Sequence, residues 1–264
     1  MRSPSFSDHF SQATLFWNSM ADWEKKHIVD ALSFELNMLS VKAIQDRVVN
    51  DLLANVADEL AERVAKNIGL PLKASPISKS KKKPIKPSPA LSMNKQASAI
   101  KGRKVAILVG DGVDGRQVAD LKAALAADGA LTDVIARFAG VVQTAAGKTL
   151  PVDKPAPNAP SVLYDAVIVP GGEGSAAALS QSGLAVHFIN EAYLHCKTIG
   201  AIGEGVDLLR KAQINLPENI GDINPGIGLV VMPGGRNTGD FSKAFIAAMK
   251  QHRHYQREID SVPG

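Results

Sequence analysis

Two hydrophobic periodicities divide the chain. Up to about residue 70, apolar side chains recur at helical spacing. Ile28, Ala31, Leu32, Leu36 and Leu39 make one stripe, and Val41, Ile44, Val48, Leu52 and Val56 a second. Both predict amphipathic helices whose apolar faces pack as core. Ser19-Met20-Ala21-Asp22 has the form of a capping box with Asp in place of Glu or Gln, and Gly69-Leu70-Pro71 supplies a stop. Beyond residue 101, short β-rich runs alternate with helical stretches. Strands are predicted at 105–109, 132–138, 166–169, 198–202 and 228–232, and helices at 116–127, after Gly172, at 206–212 and at 241–251. That order predicts an α/β fold, a parallel sheet with helices on both faces. Sites in such folds form at the carboxyl ends of strands. The glycine turns at 110–115, 171–174, 203–205 and 234–235 all fall there and are expected to share one edge.

Residues 71–100 fit neither pattern. They hold seven lysines and five prolines, with no acid and no aromatic, the composition of an extended tether. Lys81-Lys82-Lys83 has no interleaved aromatic on which a base could stack, so a solvated linker is favoured over a nucleic-acid contact. This segment also explains the formal charge of +4, because the rest of the chain carries −3. Three regions follow: a helical segment at 1–70, a Lys/Pro-rich linker at 71–100 and an α/β domain at 101–264. With 45% hydrophobic and 21% charged residues, the chain has an ordinary globular composition. No apolar run approaches the ~18 residues of a membrane span. The N-terminus lacks a secretory signal, and a single cysteine, Cys196, excludes an internal disulfide; the cytoplasm is the expected compartment.

The stretch "VAILVGDGVDGRQVADLKAAL" from Val105 fits G-x-G-x-x-G at Gly110, Gly112 and Gly115. A dinucleotide site also needs an acid at the end of the second strand, about 20 positions on, to hold the ribose. That strand instead ends Ile135-Ala136-Arg137-Phe138, where Arg137 would suit only a 2′-phosphate. Asp111 and Asp114 place negative charge where a pyrophosphate would rest. The glycines are read as turn formers.

The turn "TIGAIGEGVDLLRKA" (198–212) is more informative: a strand breaks at Gly203-Glu204-Gly205 into a helix. Together with "YDAVIVPGGEGS" (164–175), it resembles the PfpI-type and class I glutamine amidotransferase-like domains over about 105–250. The resemblance implies a flavodoxin-like sheet and a strained elbow bearing a cysteine nucleophile. It also implies backbone donors at Gly171 and Gly172, and an acidic partner near Asp114 to Gln117. Here the nucleophile position is Gly203, which meets the backbone strain but offers nothing to attack a carbonyl. Cys196 lies six residues before Ile202, ~20 Å toward the strand's amino end. His252 and His254, read as part of the last helix, are two apart and make a poor metal pair. Glu204 is expected to favour its helix's N-terminus electrostatically. The expectation is a vestigial pocket of Gly203, Glu204, Gly205, Gly171, Gly172, Asp114 and Gln117, with no catalytic and no metal-binding residue.

The first third, "DHFSQATLFWNSMADWEKKHIVDALSFEL" (8–36) with "VVNDLLANVADELAERVAKNIGL" (48–70), resembles the C-terminal helical region of haem catalases. In large-subunit catalases that region leads through a linker into a PfpI-like domain, so the order of parts matches across the chain. The resemblance implies a tetrameric peroxide-decomposing enzyme whose haem is held in an upstream barrel that these residues do not include. His9, His27, Tyr164, Tyr193 and Tyr255 are not expected to ligate haem, and this chain is expected to need no cofactor. Six of the thirteen aromatics lie between Phe6 and Phe34. They suggest a surface that docks on the barrel or on another copy. The leading expectation is a non-catalytic stabilising or assembly part. The alternatives are a chaperone-like or small-ligand module and, disfavoured for want of a nucleophile, a PfpI-like hydrolase or amidotransferase.

Overall fold

A computed structural model describes residues 4–73, 84–94, 99–216, 227–234 and 237–257. The chain forms two compact units, residues 1–95 and 96–264.

The first unit contains α1 (Ser11–Ser19), α2 (Asp22–Asn37), α3 (Lys42–Arg47), α4 (Ala54–Val56) and α5 (Asp58–Ile68), with a π-helical turn over Val48–Leu53. The α2 cap sits two residues later than the sequence pattern places it. Glu24 Oε2 accepts the Ala21 N–H at 2.8 Å, while the Ser19 hydroxyl donates to Leu15 O and belongs to the end of α1. Gly69 ends α5 in the left-handed region at φ 67°, and the Leu70 N–H returns to Ala65 O. The second predicted stripe is displaced by one position: Val49 and Leu53 are buried, whereas Val41, Ile44 and Leu52 are exposed. The displacement begins before the π turn, in α3, where Gln45 is buried and Ile44 exposed, and the same face continues through Val49 and Leu53. In α2 the inner positions are Glu24, Val29, Ser33 and Leu36, while Ala31 faces out and Leu39, beyond the helix end, is exposed. Part of the segment read as a tether is held by this unit. Asn18 donates to Ile85 O, the Ser88 N–H to Ser19 Oγ, and the Met93 N–H to Glu24 Oε1 at 2.6 Å. Lys79, Lys81, Lys82, Lys83 and Lys95 lie outside the described residues.

The second unit follows β1 (Lys104–Leu108), α6 (Gly115–Ala127), β2 (Leu131–Ala136), β3 (Gly140–Gln143), β4 (Thr149–Val152), β5 (Lys154–Pro155), β6 (Ala166–Val169), α7 (Glu173–Ser180), α8 (Gly183–Leu194), β7 (Thr198–Ile202), α9 (Val206–Lys211), β8 (Leu229–Met232) and α10 (Thr238–Lys250). Six strands pair in parallel in the order β5-β2-β1-β6-β7-β8, a flavodoxin-like sheet; β3 and β4 form a separate antiparallel pair. Alternate residues serve opposite faces. Ala106, Leu108, Val167, Val169, Ile199 and Ala201 pack with α8 and α9. Val105, Ala166 and Ile168 pack with Leu121 and Leu125 of α6 and with Phe241 and Phe245 of α10. At Gly200 a Cβ would lie 2.6 Å from Phe241 Cζ, so the stacked Phe241–Phe245 pair fills the space where a side chain would be. The last helix ends at Lys250, which corrects the placement of His252 and His254: both lie beyond it. His254 is buried, with Nε2 3.1 Å from Thr198 Oγ1.

Candidate functional site at the carboxyl edge of the sheet

The loops after β1, β6 and β7 all leave the carboxyl edge, as predicted, and Gly234 follows β8; Gly235 lies outside the described residues. The chain reverses its direction across the sheet between β1 and β6, the crevice where α/β folds commonly bind ligands. Backbone fills it here. Gly112, at φ 86°, brings its missing Cβ within 3.0 Å of Gly174 Cα. The Gly110 N–H donates to the buried Ser175 hydroxyl at 2.8 Å, and a Cβ on Gly115 would meet Thr144 Cγ2 at 2.7 Å. The turn's acids are also engaged. Asp111 accepts the Gln143 N–H at 2.8 Å, and Asp114 caps α6 by accepting the Arg116 and Gln117 N–H groups. The three glycines of the fingerprint are therefore committed to packing.

One strand over, the elbow keeps its bend. β7 runs into a 3-10 turn at Gly203–Gly205 and then into α9. Gly203 adopts φ 55°, a conformation that costs other residues about 1–2 kcal/mol. Gly205 lies so close to the end of β6 that a Cβ would overlap Val169 O and sit 2.7 Å from Pro170 O. Position 203 itself has room, its nearest neighbour being Gly171 Cα at 3.6 Å.

The two amides that would serve as donors beside a nucleophile are already taken. The Gly171 N–H donates to Gln117 Oε1 at 2.8 Å, and the Gly172 N–H to Glu204 Oε2 at 2.9 Å. The Glu204 carboxylate makes no side-chain cap hydrogen bond to α9 and reaches across to the β6 loop. Hydrogen bonds from the Gly172 amide, and then from its own amide, hold its carboxyl below the usual carboxylate range. Gln117 is buried, and Asp114 approaches through its N–H, which donates to Gly171 O at 2.8 Å. The seven residues singled out in the sequence do come together, but around filled space. Two features were missed: Glu204 crossing to Gly172, and Gln117 to Gly171. Both pairs are far apart in the chain, and no local motif announces them.

Cys196 lies just before β7, at the sheet's opposite edge. It is buried, with Sγ 3.8 Å from Leu194 O, and burial pushes its thiol pKa up. A cavity of about 620 Å³ opens beside the β1 and β2 ends, and none of the seven elbow residues lines it. Among the described residues no group of three or more His, Cys, Asp and Glu side chains is placed to hold a metal ion, and no helix is long and apolar enough to cross a membrane.

Comparison with known proteins gives the same two-part division. Residues 3–68 match a family model described as catalase-related immune-responsive, and residues 101–258 match the C-terminal domain found in long catalases. The chain is 42% identical over 258 residues to Catalase HPII of Pseudomonas aeruginosa, a match covering 97% of this chain and 34% of that protein. It is 39% identical to Catalase-2 of Bacillus subtilis, over 98% of this chain and 35% of that one. Catalase-B of Dictyostelium discoideum is 35% identical over 99% of this chain and 37% of its own length. The chain thus spans roughly a third of the length of these relatives.

Proposed function

Because the chain belongs to the long-catalase family, as its C-terminal portion, we propose that it serves such an enzyme as a non-catalytic part that stabilises or assembles it. Peroxide decomposition is then the work of the whole protein, and haem is held outside these 264 residues. The observation that carries this reading is the elbow. Glycine stands at 203, and the neighbouring amides are bonded to Gln117 and Glu204, so neither a nucleophile nor a free donor pair is on offer.

Four of the histidines and tyrosines named in the sequence support that placement of haem. His9 and His27 are exposed on the helical unit. The Tyr164 hydroxyl donates to Asp133 at 2.9 Å, and burial with that carboxylate raises its pKa, which disfavours the phenolate an axial ligand requires. Tyr193 is buried beneath the Arg257 guanidinium, 4.4 Å from its ring centroid.

The helical unit supports the assembly side of the proposal. Phe34 is 63% exposed and Met38 70%, apolar side chains of the kind that a partner surface covers. A homo-oligomer or the catalase barrel is the partner we propose. The test is an absorbance spectrum and an oxygen-release assay on the purified chain with hydrogen peroxide, together with its mass in solution. No Soret band and no oxygen are expected, with a mass above that of one chain. Stoichiometric haem or turnover would overturn the proposal.

A further inference from the structure

The large cavity has a chemistry of its own. Its floor is the end of the hydrophobic core, where Leu108 of β1, Ile135 of β2 and Phe188 of α8 are buried. Its rim is unusual for a surface. Phe138 is 70% exposed, Val162 80% and Leu184 49%, and these three come from separate segments, the end of β2, the loop before β6 and the first turn of α8. Three large apolar side chains around one opening leave in water a surface that an inserted molecule would cover. The volume lies within the range of small-molecule sites, and mostly apolar walls with a few polar groups are their usual lining.

The polar groups define the ligand further. Two carboxylates line the cavity and have contacts of their own: Asp111 accepts the Gln143 N–H, and Glu191 Oε2 lies 3.4 Å from His195 Nε2. Arg137 also lines it. Its guanidinium lies over the Phe138 ring at 5.1 Å and forms no ion pair among the described residues. Among the described residues no carboxylate lies within 4 Å of that guanidinium, so the Arg137 cation is locally unpaired, and it is held beside an aromatic face. An anion with a flat apolar body satisfies both.

We propose that this cavity is a binding site for a small, largely apolar organic anion, an aromatic carboxylate or sulfonate. Its body sits on Leu108, Ile135 and Phe188, and its charge meets Arg137. The site is separate from the elbow and does not depend on how the elbow is read.

The probe is 8-anilinonaphthalene-1-sulfonate, titrated by fluorescence against the full 264-residue chain, with N-phenyl-1-naphthylamine as its uncharged counterpart. Arg137→Glu should weaken the sulfonate about tenfold, by replacing attraction with repulsion, and leave the neutral probe within about twofold. Arg137→Lys should stay close to the parent, and Leu184→Glu should weaken both probes. Amide shifts in the unmodified protein supply a readout independent of any variant and should centre on Phe138, Val162 and Leu184. Identical isotherms for parent, Arg137→Glu and Leu184→Glu would overturn the proposal, as would shifts confined to the helical unit. Equal loss of both probes in Arg137→Glu would also overturn it, because the arginine would then be shaping the wall and not reading charge. Displacement of the probe only by a protein, and by no small anion, would assign the cavity to a macromolecular partner and likewise overturn it.

Discussion

Replacing Gly172 with alanine probes the closed crevice directly. Gly172 sits at φ 119°, and a Cβ there would overlap the Gly112 carbonyl oxygen, lie 2.8 Å from Val113 Cα and 3.0 Å from Asp114 N. All three neighbours are backbone, so no flexible side chain can swing away. The positive φ costs alanine about 1–2 kcal/mol, and forcing a methyl into filled space about 1–3 kcal/mol more. Restricting the unfolded chain returns somewhat under ~1 kcal/mol. The net loss is roughly 2–4 kcal/mol, which in a unit of this size lowers the melting temperature by about 4–16 °C. The chain offers a convenient reporter. Its tryptophans, Trp17 and Trp23, lie in the first unit, and its tyrosines, Tyr164, Tyr193 and Tyr255, in the second. Near-ultraviolet circular dichroism at the tyrosine band should shift in Gly172→Ala, while tryptophan fluorescence excited at its red edge should hold its midpoint. Gly183→Ala is the matched control. It opens α8, has nothing within 4 Å of its missing Cβ and carries no positive φ, so it should raise the tyrosine midpoint slightly. A Gly172→Ala protein melting within about 1 °C of the parent would mean the loops after β1 and β6 part easily, and the crevice would again be open to a ligand.

Two further outcomes follow from the same geometry. Burial, with the nearby Arg257 and Arg253 charges, holds the His254 imidazole down at about 4, so its neutral form contributes stability that is complete above pH 6.5. Between pH 6.5 and 4 the unfolded chain binds the proton and the folded one does not; the second unit should lose stability as pH falls through that window, by up to about 3 kcal/mol, and His254→Gln should flatten the slope in urea melts followed at the tyrosine band. A thiol reagent such as 5,5′-dithiobis(2-nitrobenzoate) should leave buried Cys196 almost untouched in the native protein, whereas Gly203→Cys should react within seconds yet show no esterase activity, because the Gly172 amide remains bonded to Glu204. Ester turnover by the unmodified chain would contradict the elbow described above.

The sequence was most legible where physics is local. β6 and β7 match their predicted spans, because buried parallel strands are short apolar runs stopped by glycine. The omissions have separate causes. α8, "GLAVHFINEAYL", is apolar on most of its circumference, so it shows no stripe. β3 and β4 are four residues each, too short for alternation to register. No glycine or proline marks the end of α10, so the sequence does not show that the chain leaves at Gln251, after which His252 takes φ 66°. In the helical unit the buried face runs through Gln45, Val49 and Leu53, one position past the apolar stripe, because a glutamine that donates to Leu36 O and Leu39 O begins it, and an apolar pattern does not register a buried amide. At the elbow the bend could be read from Gly203-Glu204-Gly205. The pairings that fill it, 204 with 172 and 117 with 171, could not, because each is made only when the sheet brings remote loops together.

The Glu204–Gly172 contact also bears on how this scaffold could evolve. A side chain tethered on the same turn competes for that amide at an effective concentration that a dilute visitor does not match. Introducing sulfur at 203 alone would therefore be silent, and removing the carboxylate at 204 alone would bare a donor with nothing to serve. The two substitutions are worth something to catalysis only together, so selection acting one step at a time gains nothing in either order, and the step at 203 also carries the strain of φ 55°.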